Sequence, residues 1–369
     1  MKKVVFIAHS SSLHGAERVL LTTIQVAQDA GCQVWAVLPS HASDEGLRDA
    51  LTQQIGADRV RKLPFRSAGK GILRTLLVWL FNLPAAWILS RWCRRNGIDT
   101  AFSDTSVTIL GVQAARMAGI RHLWHFHEPP DDLYGWRPSM CGIYRRCLSY
   151  SRNRVIFISR IQQIAWQEEL DTPIASEVIY NPIARLTLPA KQAHEGIRIG
   201  YLGSFEPRKN VGLLLEIFEQ LHSLHPDTSL WLCGAKDEAE RTAWQARTTL
   251  QVPVVQVSLH TSNVADFYAA IDILVLPSES ETMPLVAVEA MLAGVCVVQT
   301  GCSYLRELYT DNCDCIFIYP SDRKGWLTAL TRCLDDATRE RLALQGQTTT
   351  QQLDCNNRYT NLMSRLLCE

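Results

Sequence analysis

The chain has 369 residues, 47% hydrophobic and 20% charged, with 37 Lys and Arg against 37 Asp and Glu. That length favours two domains over one core, and the composition excludes a disordered, fibrous or low-complexity protein. The zero net charge is unevenly split: residues 1–180 hold 21 basic and 15 acidic residues (+6), and residues 181–369 hold 16 and 22 (−6).

A basic half can meet an anionic partner or be plain solvated surface, and its basic residues are not interleaved with aromatics as in a nucleic-acid module, so no nucleic acid is expected. At the N-terminus, "MKKVVFIAHSSS" offers an apolar run only from Val4 to Ala8, shorter than the ~7–15 residues of a signal-peptide core. It reads as a first strand, and the chain is expected in the cytoplasm. Ser10, Ser11, Ser12 and Gly15 then form a small-residue loop before an amphipathic helix that begins near Ala16, with Val19, Leu20, Thr23 and Ile24 on one face. A glycine there lets backbone N–H groups approach an anion at the helix N-terminus, but without a GxGxxG pattern these residues alone favour a plain strand-to-helix turn.

"QVWAVL", "TAFS", "RHLWHF" and "RVIFIS" follow, alternating with stretches of helical period. This is the pattern of βαβ units on a parallel sheet. Within this half "GILRTLLVWLFNLPAAWILSRWCRR" stands out. Its apolar run from Leu76 to Leu89 is interrupted by Pro84 and falls short of the ~20 residues that span a bilayer. Arg74, Arg91, Arg94 and Arg95, with Trp79, Trp87 and Trp92, suit peripheral docking of residues 72–95 on anionic lipid; a buried helix pair fits the same residues. Twelve cysteines are scattered through the chain without a CxxC pair. Buried thiols explain them better than disulfides or zinc, and Cys313-x-Cys315 is a weak metal signal alone.

After Asn181-Pro182 the chain turns polar, which places a linker at residues 183–196 between a first domain, 1–182, and a second, 197–350. In the second domain "IRIGYLG", "SLWLCG", "PVVQV", "DILVLP" and "VCVVQ" repeat the strand pattern. The cleft between two such domains is the default ligand site, because open α/β sheets present loops and helix N-termini at the carboxyl ends of their strands. Residues 351–369, an amphipathic end, are expected to pack back on the first domain. Gly203 and Ser204 follow a strand, and Arg208 and Lys209 stand just ahead of a helix starting near Asn210. Two cations there oppose the helix dipole, and a bound di-anion resolves the conflict; an exposed basic loop is the alternative.

In "SESETMPLVAVEAMLAG", Pro284 suits the first position of a helix running to about Leu292 and closed by Gly294. Glu281 then lies in the preceding loop and Glu289 inside the helix. Eight helical positions separate them by roughly 12 Å, too far for an acid and base acting on one atom. They can hold two ends of an elongated ligand with an anionic middle, the layout of a nucleotide sugar. An exposed helical glutamate is the plain alternative for Glu289.

Together these residues resemble the retaining glycosyltransferases of family four, which have the GT-B fold of two Rossmann-like α/β/α domains facing each other across a cleft. The resemblance covers nearly the whole chain and rests on Glu281-x7-Glu289, "GSFEPRKN" and "HGAERV". It implies that Glu281 contacts the transferred sugar, Glu289 the ribose, and Arg208 and Lys209 the diphosphate. Gly15, Gly203, Ser204, Thr282, Met283, Pro284 and Leu285 would line the donor, and His127 in "WHFHEPP" would face the reacting sugar. His14-Gly15, Ser204 and Thr282-Met283 depart from the family's usual double glycine, arginine and Gly-Phe, which touches donor identity more than fold.

The implied function is transfer from a nucleotide-diphosphate sugar to an acceptor hydroxyl on a polysaccharide, lipopolysaccharide or lipid-linked glycan, without a metal or other cofactor. Two other functions fit the same residues, a nucleotide-sugar epimerase and an inactive sugar-nucleotide-binding or membrane scaffold subunit.

Overall fold

A computed structural model describes residues 1–13, 15–41, 45–68, 71–130, 142–183, 187–261 and 263–369. His14, and residues 184–186 of the expected linker, lie outside them. The chain divides into two compact units, residues 1–182 with 355–369, and residues 183–354.

The first unit is built on seven parallel strands: β1 (Lys3–Ile7), β2 (Gln33–Pro39), β3 (Val60–Leu63), β4 (Thr100–Asp104), β5 (Arg121–Phe126), β6 (Asn153–Phe157) and β7 (Ser176–Val178). They lie in the order β3-β2-β1-β4-β5-β6-β7. Strands covered on both faces read as near-continuous apolar runs, and β1 and β4 meet this with Val4, Phe6, Ala101 and Phe102 fully buried. The helix Cys355–Cys368 belongs to this unit. Its Tyr359 hydroxyl bonds Thr23 in the helix Gly15–Asp29, and Arg121 holds Glu369 at 3.1 Å.

The second unit has six parallel strands: β8 (Ile197–Leu202), β9 (Thr228–Ala235), β10 (Val255–Leu259), β11 (Ile273–Leu276), β12 (Cys296–Thr300) and β13 (Ile316–Ile318). Their order is β10-β9-β8-β11-β12-β13. Both units therefore have the doubly wound Rossmann topology. Residues 191–194 are not a free tether: Gln192 donates to the Ala269 carbonyl at 2.9 Å, and Lys191 and His194 pair with Asp272 at 3.2 and 3.3 Å. The chain crosses back at Asp354, whose φ of +46° breaks the helix Asp336–Leu353 from Cys355–Cys368.

Residues 72–95 form two helices, Ile72–Phe81 and Leu83–Asn96, bent by 43°. The break falls at Asn82, ahead of Pro84. The Asn82 side chain is buried and pairs with both backbone groups of Arg66, accepting from its N–H and donating to its carbonyl, each at 2.9 Å. Only one face is buried, through Thr75, Val78, Ala85, Ala86, Leu89 and Cys93. Leu73, Leu77, Phe81, Trp87 and Ile88 are exposed, so this is not a buried helix pair.

At the carboxyl ends of β8 and β9 two backbones nearly touch. Gly234 has φ +146°, and a Cβ there would stand 1.9 Å from the Gly203 carbonyl oxygen. Gly234→Ala is therefore expected to displace the Gly203 turn and destabilise the protein by roughly 2–4 kcal/mol. Thermal unfolding checks this, and an unchanged midpoint would contradict it.

Candidate functional site

In an open parallel sheet the loops diverge where the winding reverses, and ligands bind beyond the strand ends at that point. The reversals lie between β8 and β11 in the second unit and between β1 and β4 in the first. Each carries a polar cluster.

In the second unit β8 ends at Leu202, and Gly203 follows with φ +153°. Such a turn favours a residue without Cβ. The Tyr201 hydroxyl donates to the Ser204 carbonyl at 2.7 Å and fixes the turn. Arg208 and Lys209 occupy a short 3-10 turn, Pro207–Lys209, rather than an open loop, and Asn210 with φ +55° starts the helix Val211–Leu224. The two cations take different partners. Arg208 bonds Glu206 at 3.1 Å in an exposed pair, whereas Lys209 Nζ bonds Glu281 Oε1 at 2.6 Å with both side chains largely covered.

Glu281 is held from several directions. Buried Ser278 donates to the same Oε1 at 2.6 Å, and the backbone N–H of Tyr304 donates to the Glu281 carbonyl at 3.1 Å. The Arg208 carbonyl accepts from Glu279 N–H at 2.9 Å, which ties the two loops together. The helix spans Leu285–Leu292, with Pro284 at its cap rather than at its first position. Gly294, at φ +71°, closes it. Met283 and Pro284 are buried, and Thr282 and Leu285 half-buried. Glu289 is buried, not an exposed helical glutamate, and its Oε2 accepts from the Tyr268 hydroxyl at 2.8 Å.

In the first unit Gly15 is the first residue of the helix Gly15–Asp29. Glu17, buried in its first turn, accepts from Ser10 Oγ at 2.7 Å and lies 3.3 Å from His9 Nδ1. A carboxylate suits a helix N-terminus. Asp104 ends β4 fully buried, and His127 Nε2 bonds its Oδ1 at 3.0 Å. Burial raises the Asp104 carboxyl, opposed by the bond to His127. Burial disfavours a charged His127 ring, but the bond and charge of Asp104, with Glu128 and Glu17, leave it raised overall. Each partner thus opposes the effect of burial on the other.

Thr105, beside Asp104, has φ +68°, a strained conformation for a β-branched residue. Its carbonyl is pinned by Trp124 Nε1 at 2.8 Å. Glu128 accepts from the backbone N–H and the hydroxyl of Ser106 at 2.9 and 2.8 Å, while its carbonyl accepts from Gln162 and Trp166.

The structure thus brings Lys209 and Glu281 together and sends Arg208 to Glu206. It also supplies residues with no assignment from sequence: Ser278, Tyr268, Glu17, Asp104 and His125. Asp104 carried one signal, a polar residue closing the strand run "TAFS". Tyr268→Phe removes a donor from the buried Glu289 carboxylate. It should lower stability at neutral pH by about 1–3 kcal/mol, read as a lower thermal midpoint, and an unchanged midpoint would show that this bond contributes nothing.

Residues 13–185 match the model described as Glycosyltransferase Family 4, and residues 196–336 that of Glycosyl transferases group 1. The chain is 28% identical over 153 residues to an uncharacterized glycosyltransferase of Haemophilus influenzae, covering 41% of this chain and 42% of that protein. It therefore spans less than half the length of that relative. It is 24% identical over 249 residues to the lipopolysaccharide core biosynthesis glycosyltransferase LpsE of Rhizobium meliloti, covering 60% and 71%. HepE of Anabaena, solved in complex with UDP, matches with a TM-score of 0.75 at 17% identity, over 99% of this chain and 100% of that one. At that identity the match shows a shared fold.

Proposed function

The chain belongs to the group 1, family 4 glycosyltransferases, and from that premise we propose that it moves a sugar from a nucleoside-diphosphate sugar to an acceptor hydroxyl with retention at the anomeric carbon. The observation that carries this reading is the Lys209–Glu281 pair at the reversal of the second sheet. An ammonium and a carboxylate held side by side offer a charge for the diphosphate and an acceptor for sugar hydroxyls. Arg208 sits one residue away in an exposed pair with Glu206, and such pairs contribute only about 0–1 kcal/mol. It can turn to an arriving phosphate at little cost.

In the proposed step the bond from the anomeric carbon to the diphosphate oxygen breaks while the acceptor oxygen bonds the same face. A departing phosphate oxygen takes the acceptor's proton, which leaves a glycoside and a nucleoside diphosphate. Charge on the leaving group is met by Lys209, Arg208 and the backbone N–H groups opening the helix Leu285–Leu292, so the step is written without a metal. Glu289 takes the ribose hydroxyls; Gly203, Ser204, Thr282, Met283, Pro284 and Leu285 line the donor. On the resemblance alone, His127 is assigned to the reacting sugar and Gly15 to the phosphates. The names of LpsE and of a lipopolysaccharide 1,2-N-acetylglucosaminetransferase of Salmonella typhimurium, 25% identical over 174 residues, support a lipopolysaccharide-type acceptor.

We further propose that residues 72–95 dock on the anionic inner face of the cytoplasmic membrane, where such acceptors are assembled. No single described helix is long and apolar enough to cross a bilayer. Leu73 at 69% and Trp87 at 56% exposure head a row of large apolar side chains left in water, an arrangement that marks an interaction surface. Arg91 stacks on Trp87 and Arg66 on Phe81, each at 5.0 Å, which places cations beside the apolar face as anionic headgroups require.

Two experiments test these readings. Purified protein incubated with UDP-, GDP- and dTDP-sugars and a glycan acceptor in EDTA should transfer sugar with its anomeric configuration kept. Lys209→Met should lower kcat by about 100- to 1,000-fold; loss of activity in EDTA restored by magnesium, or inversion, would contradict the mechanism. In vesicle sedimentation the protein should bind phosphatidylglycerol-containing vesicles and not neutral ones, and Leu77→Ser with Phe81→Ser should cut binding about 10-fold or more. Equal binding to both vesicle types would argue against docking.

A further inference from the structure

We propose that the carboxyl end of the first sheet holds a site for a divalent transition ion of the zinc class, ligated by Asp104, His125 and His127. Each offers one donor atom, and the three atoms lie within 4.8 Å of one another. Asp104 and His125 are register partners on neighbouring strands, and His127 follows His125 at the strand period, so all three converge at one strand end. Two imidazoles and a carboxylate are three donors of the kind zinc takes, with a fourth position left for water.

An independent observation points to a missing ligand. His125 is fully buried, yet among the described residues neither ring nitrogen has a hydrogen-bond partner, and Oδ2 of the fully buried Asp104 also lacks one. Buried polar atoms are nearly always paired, and leaving one unmatched costs about 1–3 kcal/mol. His122, three residues earlier and equally buried, makes the contrast. Both its ring nitrogens are paired, with Ser103 at 2.9 Å and Asn153 at 2.6 Å. Burial in this sheet therefore does not by itself leave an imidazole unsatisfied.

An imidazole lone pair and a carboxylate oxygen are both acceptors, and the donor atoms of the three residues lie within 4.8 Å of one another. A cation satisfies the two together. A further carboxylate adjoins the site: Glu128, next to His127 in sequence, is fixed by the backbone N–H and hydroxyl of Ser106. His127 keeps 10% of its side chain accessible while Asp104 keeps none, so an ion enters from the His127 side. Occupation would engage His127 and thereby slow sugar transfer; this consequence rests on the proposed function, whereas the site itself does not.

The test is stoichiometric binding. Chelator-stripped protein is titrated with Co2+, followed by visible absorption, and with Zn2+ in competition with a chromophoric indicator. One tight equivalent is expected, with His125→Gln weakening it by roughly 100-fold and His222→Gln, on a helix of the other unit, leaving it unchanged. Circular dichroism checks that each variant folds, and His127→Gln, at the accessible rim, serves if His125→Gln does not. Absence of a one-to-one complex in the unaltered protein, or an equivalent that survives in both His125→Gln and His127→Gln, would overturn the assignment.

Discussion

Both units depend on one topological constraint, the reversal of winding in a parallel sheet. Right-handed crossovers carry the chain to opposite faces on either side of the reversal, so the loops leaving β1 and β4, or β8 and β11, part and leave the strand ends uncovered. The strands themselves are closed off: β4, β11 and β12 are buried along their whole length, Asp104 at the end of β4 included. Ionisable groups that a core would reject are therefore kept where the loops part.

The two reversals solve the resulting electrostatic problem differently. In the second unit opposite charges meet directly, Lys209 on Glu281, with Ser278 filling out the carboxylate's bonds. Breaking a covered pair by removing one partner strands the other charge, so the pair is stable until a ligand substitutes for one member. In the first unit, among the described residues, Asp104 and Glu17 face His127 and His9 rather than a lysine, and Glu128 is held by Ser106. A lysine-bearing end is suited to phosphate, and an end of carboxylates and imidazoles is suited to cations.

Much of the fold could be read from residue patterns because buried parallel strands are continuous apolar runs. "KVVFI", "RHLWHF" and "ILVL" announce themselves by composition. The strands that gave no signal are the short outer ones. β3 reads "VRKL" with two exposed basic residues, and β13 has three residues, too few to show a period. Local chemistry was readable to within a residue, as with Pro284, which caps its helix instead of opening it. What sequence could not show is pairing across distance. Lys209 and Glu281 are 72 positions apart, and nothing in "GSFEPRKN" says that Glu206 will take Arg208. Likewise Asp104 and His127 meet only because β4 and β5 are neighbours.

Hydrogen exchange with and without nucleotide sugar reports where the donor binds. With whichever UDP-, GDP- or dTDP-sugar most raises the thermal midpoint, exchange of backbone amides is expected to slow at Gly203–Ser204 and across Met283–Glu289. Stabilisation without protection of those two segments, or protection confined to other parts of the chain, would contradict it.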